Sequence, residues 1–285
     1  MKDKPVPKRV FRPAAQEAEV AAQATSSPQT EHPAYLLAFQ DSDFLLREDL
    51  RPIRFQLELL KPELLLDEAN IASTFVFYGS ARIPSPEDAE ALVAAASGET
   101  QTRISQRLAA KSKYYAEARA LARTASQVPL DEDGRRQFVI CSGGGPSIME
   151  AANRGADDVG ATSIGLNIVL PHEQLPNPYV TPSLSFQFHY FALRKMHFLI
   201  RARAVAVFPG GFGTFDEMFE LLTLIQTGKM APLPILLFGR EFWTRVIDFD
   251  ALAEEGVISP NDTKLFTFVE TAEEAWRIVS KHYAL

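Results

Sequence analysis

The chain has 285 residues, of which 46% are hydrophobic and 23% charged, with a formal net charge of −7 at pH 7. That length and balance suit an ordinary globular protein with a sizeable core, and the acidic excess excludes a duplex nucleic-acid binder, which needs basic groups to neutralise phosphates. Cys141 is the single cysteine, so an intrachain disulfide and a cysteine metal cluster are excluded.

No apolar run approaches membrane-spanning length, and no hydrophobic core follows Met1-Lys2-Asp3-Lys4-Pro5, so a cytoplasmic protein without a membrane partner is expected. Residues 1–33 are rich in Pro, Ala, Gln, Ser and Thr without an apolar period, and read as a disordered tail. Residues 34–70 turn helical, with Ile53, Leu57, Leu60 and Leu64 spaced along one face, and predict a helical extension that packs on the main domain or on a second subunit.

From residue 71 to 285 short β-rich runs alternate with helical stretches, the pattern of a parallel sheet covered on both faces. Strands are predicted at Ser73–Tyr78, Gln137–Cys141, Ser163–Val169, Leu184–Phe188, Ala204–Phe208, Leu233–Phe238 and Leu265–Phe268. Helices are predicted at Ile104–Gln127, Ser147–Val159, Tyr190–Arg201, Phe215–Thr227, Arg240–Glu255 and Thr271–His282, with an extra Ala-rich segment from Glu87 to Gly98. The expected fold is α/β: a doubly wound, Rossmann-like, mostly parallel sheet with a helical N-terminal extension.

Ligands of such sheets bind at the carboxyl ends of the strands, and three predicted strands end in glycine turns. They are Gly79-Ser80-Ala81-Arg82, then Gly143-Gly144-Gly145-Pro146-Ser147, then Pro209-Gly210-Gly211-Phe212-Gly213-Thr214-Phe215-Asp216-Glu217. None is a dinucleotide fingerprint or a P-loop. Glycine can serve such a turn merely by turning, but three on one sheet favour a shared nucleotide or sugar-phosphate site.

Thr214 and Glu217 carry two readings. Thr-x-x-Glu is a capping box, in which both side chains satisfy orphan N–H groups at a helix start. Alternatively, Glu217 is a working carboxylate beside a bound phosphate. Upstream, Arg194 and Lys195 stand on an apolar helix, where a buried cation must meet a ligand anion or an acid such as Asp216 or Glu220. The histidines show no ligand spacing, so no metal is expected.

In these residues the chain resembles the Lonely Guy family, long labelled lysine-decarboxylase-like. The family's Pro-Gly-Gly-x-Gly-Thr-x-x-Glu stands in full from Pro209 to Glu217, its Arg-Lys pair matches Arg194-Lys195, and its glycine run resembles Gly143-Gly144-Gly145. Family members cleave the N-glycosidic bond of a nucleoside 5′-monophosphate, commonly AMP or an N6-prenylated AMP, and are dimeric or larger without a redox cofactor. The resemblance implies catalysis by Arg194 and Glu217. It implies a nucleotide lined by Lys195, Gly210, Gly211, Gly213, Thr214 and Thr223, with Glu173 near the base. Gly79, Ser80, Arg82, the three glycines at 143–145 and Asp216 complete the expected substrate-binding set.

Short members carry a His where Ala192 stands and a Glu at 216, whereas Gly79-Ser80-Ala81-Arg82 and the N-terminal extension resemble the longer bacterial branch. A related branch resembles molybdenum-cofactor carriers, which makes a non-hydrolytic nucleotide or cofactor carrier the alternative function. A pyridoxal decarboxylase needs a Schiff-base lysine, and Lys195 on a buried helix is a poor one.

Overall fold

The computed structural model describes residues 11–171 and 175–285. The chain divides into two compact units, one ending at Leu57 and one running from Glu58 to Leu285. The first holds α1 (Ala14–Ala21), α2 (Ser42–Leu45) and the start of α3 (Arg51–Glu68). Helix α1 lies inside the compositionally biased stretch and buries no residue. Asp41 caps α2, accepting the Phe44 N–H at 2.9 Å.

The second unit is an α/β domain built on seven parallel strands. They are β1 (Thr74–Tyr78), β2 (Val139–Ser142), β3 (Ser163–Ile168), β4 (Ser185–Phe188), β5 (Ala202–Val207), β6 (Ile235–Phe238) and β7 (Thr267–Val269). Their order across the sheet is β4-β3-β2-β1-β5-β6-β7, so the winding reverses between β1 and β5. That reversal leaves a crevice at the carboxyl ends of these two strands.

All five residues of β1 are buried, as a central strand covered on both faces requires. On one face Phe75 and Phe77 join a cluster with Ala118, Leu121, Ala151 and Val279. On the other, Tyr78 meets Phe198 edge to face at 5.1 Å. Phe208 and Phe238 stack at 4.1 Å, and the Trp243 indole N–H donates to the Phe238 carbonyl at 2.9 Å, so this large ring is buried with its polar atom paired.

The remaining helices are α4 (Ala89–Ala94), α5 (Glu99–Ala109), α6 (Ser112–Ala125), α7 (Ile148–Asp157), α8 (Phe191–Ile200), α9 (Phe212–Gln226), α10 (Arg240–Val246), α11 (Phe249–Glu254) and α12 (Ala272–Tyr283). Two predicted helices are each split in two. Residues 104–127 break at Lys111, whose ammonium donates to the Arg107 carbonyl at 2.9 Å and so caps the end of α5. Residues 240–255 break at Ile247 and Asp248, because Asp248 caps a new helix by accepting the Ala251 N–H at 2.9 Å. Strand β2 starts later than predicted, since Phe138 takes a left-handed φ of 52° and gives its N–H to Ser73 Oγ.

Helix α3 also departs from its periodicity. Ile53, Leu57, Leu60 and Leu64 are all exposed, and the buried residues are Pro62 and Leu66. Beside them Glu63 and Asp67 hold Arg201 at 3.0 and 3.1 Å.

Candidate active site

The switch point is assembled from the three glycine turns, which hydrogen bonds tie together. Ser80 N–H donates to the Pro209 carbonyl at 3.1 Å, joining the ends of β1 and β5. Ile148 N–H reaches the Ser80 carbonyl at 3.4 Å, joining the start of α7 to the first turn. Ser147 then ties the same loop further out, its hydroxyl donating to the Ile83 carbonyl at 2.5 Å. Ser147 does so from φ 65° and ψ −124°, a conformation that normally belongs to glycine.

Helix α9 begins earlier than the sequence suggests. Its N-cap is Gly211, with no side-chain cap, and the Phe215 N–H to Gly211 carbonyl bond at 3.0 Å opens the helix. Thr214 therefore sits inside the first turn, not at the cap, and Glu217 lies a further turn along. The capping-box reading fails on this register. The Thr214 side chain packs instead against Gly210, where an added Cβ would stand 2.1 Å from Thr214 Oγ1. The N–H groups of Phe212, Gly213 and Thr214 precede the first intrahelical bond, so they form the positive end of α9.

These three residues line a cavity of about 890 Å³, together with Gly79–Arg82, Arg194 and Glu217. A recess of about 400 Å³ shares Ala81, Met149 and Arg194 with it and is bounded by Gly143, Gly145 and Asn167. Positions 211 and 213 face open space: no atom lies within 4 Å of where a Cβ would be. A ligand can approach the bare backbone there.

Arg194 stands between cavity and recess. Its Nη1 donates to Glu217 Oε1 at 3.0 Å, its Nε donates to the Leu166 carbonyl at 2.7 Å, and its guanidinium lies over the Phe198 ring. The two side chains are 11% and 14% exposed, so this pair is largely out of water. Gly143 makes room for it, because a Cβ at that position would lie 2.6 Å from Arg194 Nη2. Burial pushes the Glu217 carboxyl up to about 7, with Arg194 opposing and Asp216 adding to the rise. A carboxyl that titrates near neutrality in a cavity is a functional-site marker.

Lys195, adjacent in sequence, faces elsewhere. Its ammonium lies 3.0 Å from both Asp216 Oδ2 and Glu220 Oε2. Burial alone would lower its pKa, but Glu220 and Asp216 outweigh it and raise it. Lys195 and Glu220 border a different cavity of about 650 Å³, with Met196 and Leu224. A Schiff-base lysine needs a lowered pKa, and that of Lys195 is raised by the two carboxylates that hold it. Glu217 is the one carboxylate among the described residues lining cavity and recess.

The other expected residues divide. Gly79, Ser80, Arg82, Gly143, Gly145, Gly211, Gly213 and Thr214 line the cavity or its recess, and Gly210 supports Thr214. Gly144 is committed to the protein: its N–H donates to Ser142 Oγ at 3.0 Å, and its carbonyl accepts from Asn177. Asp216 is 59% exposed on the Lys195 side. Thr223 is two turns beyond Glu217, its hydroxyl bonded to the Phe219 carbonyl at 2.7 Å, and is not brought to the cavity. Glu173 lies outside the described residues.

The sequence reading missed Asn167, Met149 and Phe191. Asn167 Nδ2 donates to the Phe186 carbonyl at 3.1 Å, and its carboxamide presses against Gly144. One polar residue near the end of the otherwise apolar run Ile164-Gly165-Leu166-Asn167-Ile168 was the signal available. Among the described residues, no cluster of His, Cys, Asp or Glu could hold a metal ion, and no helix is long and apolar enough to cross a membrane.

Residues 149–279 match the family described as "Possible lysine decarboxylase". The chain is 26% identical over 139 residues to a cytokinin riboside 5′-monophosphate phosphoribohydrolase of Arabidopsis thaliana, covering 48% of this chain and 63% of that protein. It is 28% identical over 160 residues to a pyrimidine/purine nucleotide 5′-monophosphate nucleosidase of Escherichia coli K12, covering 51% of this chain and 32% of that one. The chain thus spans less than two thirds of either relative. Among solved structures, a molybdenum cofactor carrier protein of Chlamydomonas reinhardtii aligns over 75% of this chain and 99% of its own, at 15% identity and a TM-score of 0.41. The glycine turn and the Arg194–Glu217 pair fall within or beside the matched span, and over residues 149–279 the chain is similar to the lysine-decarboxylase-like family.

Proposed function

We propose that this protein is a nucleoside 5′-monophosphate phosphoribohydrolase that cleaves the N-glycosidic bond to give the free base and ribose 5-phosphate. One observation carries the reading: a buried, Arg-paired carboxylate, Glu217, lines the same cavity as the open amino end of α9. The helix end suits a phosphate, and the carboxylate suits a sugar that becomes cationic. The names of the Arabidopsis and E. coli relatives support it.

In the proposed mechanism the 5′-phosphate rests on the N–H groups of Phe212, Gly213 and Thr214, which fixes the ribose beside Glu217. As the C1′–N bond breaks, its electron pair leaves with the base and the ribose ring gains positive charge. The Glu217 carboxylate stabilises that charge and orients the water that attacks C1′, and Arg194 holds the carboxylate in place. Glu217 accepts the proton that the attacking water loses, and the departing base regains one by exchange through solvent. AMP is the default substrate and an N6-modified AMP the variant.

Incubating the protein with a panel of nucleoside monophosphates and measuring free base and ribose 5-phosphate tests this reading. Release from at least one monophosphate, and none from the matching nucleosides, is the expected result. Tight nucleotide binding with no base released from any of them would make the protein a carrier.

A further inference from the structure

From Glu58 onward, α3 grips α8 at three levels. At the amino end, the two oxygens of the Glu58 carboxylate accept the N–H groups of His189 at 2.8 Å and Tyr190 at 3.2 Å. Tyr190 is the N-cap of α8 and supplies no side-chain cap of its own. In the middle, His197 Nε2 lies 3.2 Å from the Glu58 carbonyl oxygen. At the far end, Glu63 and Asp67 hold Arg201, the C-cap of α8. The partners at the amino end stand 131 and 132 residues apart in sequence, so this is a long-range fixture and not a local turn.

A carboxylate at the amino end of a helix meets both orphan N–H groups and the positive end of the dipole. Here that end is the turn that carries Arg194, whose own N–H donates to the Tyr190 carbonyl at 3.1 Å. A shift of Tyr190 therefore moves the Arg194 backbone with no intervening element. Arg194 must then span from this turn to both the Leu166 carbonyl and Glu217.

We propose that Glu58 is a positioning residue: by closing the amino end of α8 it fixes the turn from which Arg194 reaches Glu217. Residues of α3 thus belong to the working site, although they lie outside the span matched by the family. The kinetic consequence rests on the proposed reaction, whereas the geometric consequence does not.

The groups whose charge bears on Glu217 are Arg194 in contact from α8, Lys195 and Asp216 at longer range, and the buried Tyr78 on β1 and Cys141 on β2. Of these, Arg194 is the cation in contact with it. Loosening α8 weakens that contact, so the Glu217 carboxyl titrates at higher pH. Removing the Glu58 charge without any movement would act in the opposite sense, because a distant negative charge would be lost.

The experiment compares the full chain with E58A and E58Q. Glu217 is followed by NMR of its carboxyl carbon, assigned by its disappearance in E217Q, and kcat for base release is measured beside it. E58A should move the Glu217 midpoint upward by on the order of one pH unit and lower kcat by about 10-fold. E58Q keeps one acceptor oxygen and should fall between. If E58A does not fold, the E58Q comparison stands alone. A midpoint that stays put or falls in the folded variants overturns the proposal, whatever happens to the melting temperature. A midpoint that rises in a protein releasing no base upholds the role of Glu58 and overturns the reaction.

Discussion

Two cations adjacent on α8 make three ion pairs to acids of α9. Arg194–Glu217 is almost out of water, whereas Lys195 pairs with Asp216 and Glu220, which are 59% and 36% exposed. Adjacent residues on a helix point about 100° apart, so one pair faces the cavity and the other faces away. The first has a carboxyl raised to about 7. The second is an ordinary cross-helix fixture, and pairs of that exposure contribute little. The same residue types therefore do different work because one of the two faces is dry.

The strongest way to break this comparison is at Glu217. E217Q keeps the shape and one acceptor but not the charge, and kcat should fall by about a thousand-fold or more, measured as base release. In the wild-type protein kcat/KM should rise with pH through about 7 as Glu217 loses its proton. A flat profile across pH 6–8 would remove Glu217 from the chemistry.

Stability should show the same group with a definite sign. A carboxyl whose folded pKa lies above its unfolded value costs nothing below pH 4.5. It costs progressively more up to pH 7 and a constant amount above. Chemical unfolding should therefore show E217Q gaining on the wild type across that window, by at most about 3 kcal/mol.

Gly143→Ala comes next. The added Cβ would fall 2.6 Å from Arg194 Nη2, so the guanidinium must shift. Catalysis should drop by about 10- to 100-fold, given how steeply rates depend on sub-ångström placement. Retained activity would mean that Arg194 can work from more than one position.

The smallest effects belong to the outer pair. Lys195→Ala and Asp216→Asn should change unfolding free energy by less than about 1 kcal/mol and leave kcat within about three-fold, because neither side chain lines the cavity or its recess. A loss in Lys195→Ala as deep as that in E217Q would show that the family's Arg-Lys motif acts as a unit and that Lys195 swings into the cavity.

The strands were legible in sequence because a buried parallel strand reads as a short apolar run, and Phe75 to Tyr78 or Ala204 to Val207 have no other sensible conformation. The start of α9 was not, since Thr214-x-x-Glu217 copies a capping box while the true cap, Gly211, carries no side chain to announce itself. Likewise Arg194 and Glu217 were legible as residue types, and the 100° between Arg194 and Lys195 follows from helix geometry, but not which of the two cations meets Glu217. Helix α3 misled in the opposite way. Leu57, Leu60 and Leu64 mark an exposed face, and the residues that reach α8 are acidic ones, which ordinary periodicity assigns to solvent.

Ser147 has a consequence for how this chain can change over time. It holds a backbone conformation suited to glycine so that its hydroxyl can anchor the carbonyl of Ile83, the residue after Arg82 of the cavity lining. Selection for heat resistance alone should therefore favour glycine at 147, relieving a conformational cost of about 1–3 kcal/mol while freeing that carbonyl. Lineages under pressure for turnover should keep a hydroxyl there. The position is thus a place where durability and speed pull the sequence in opposite directions.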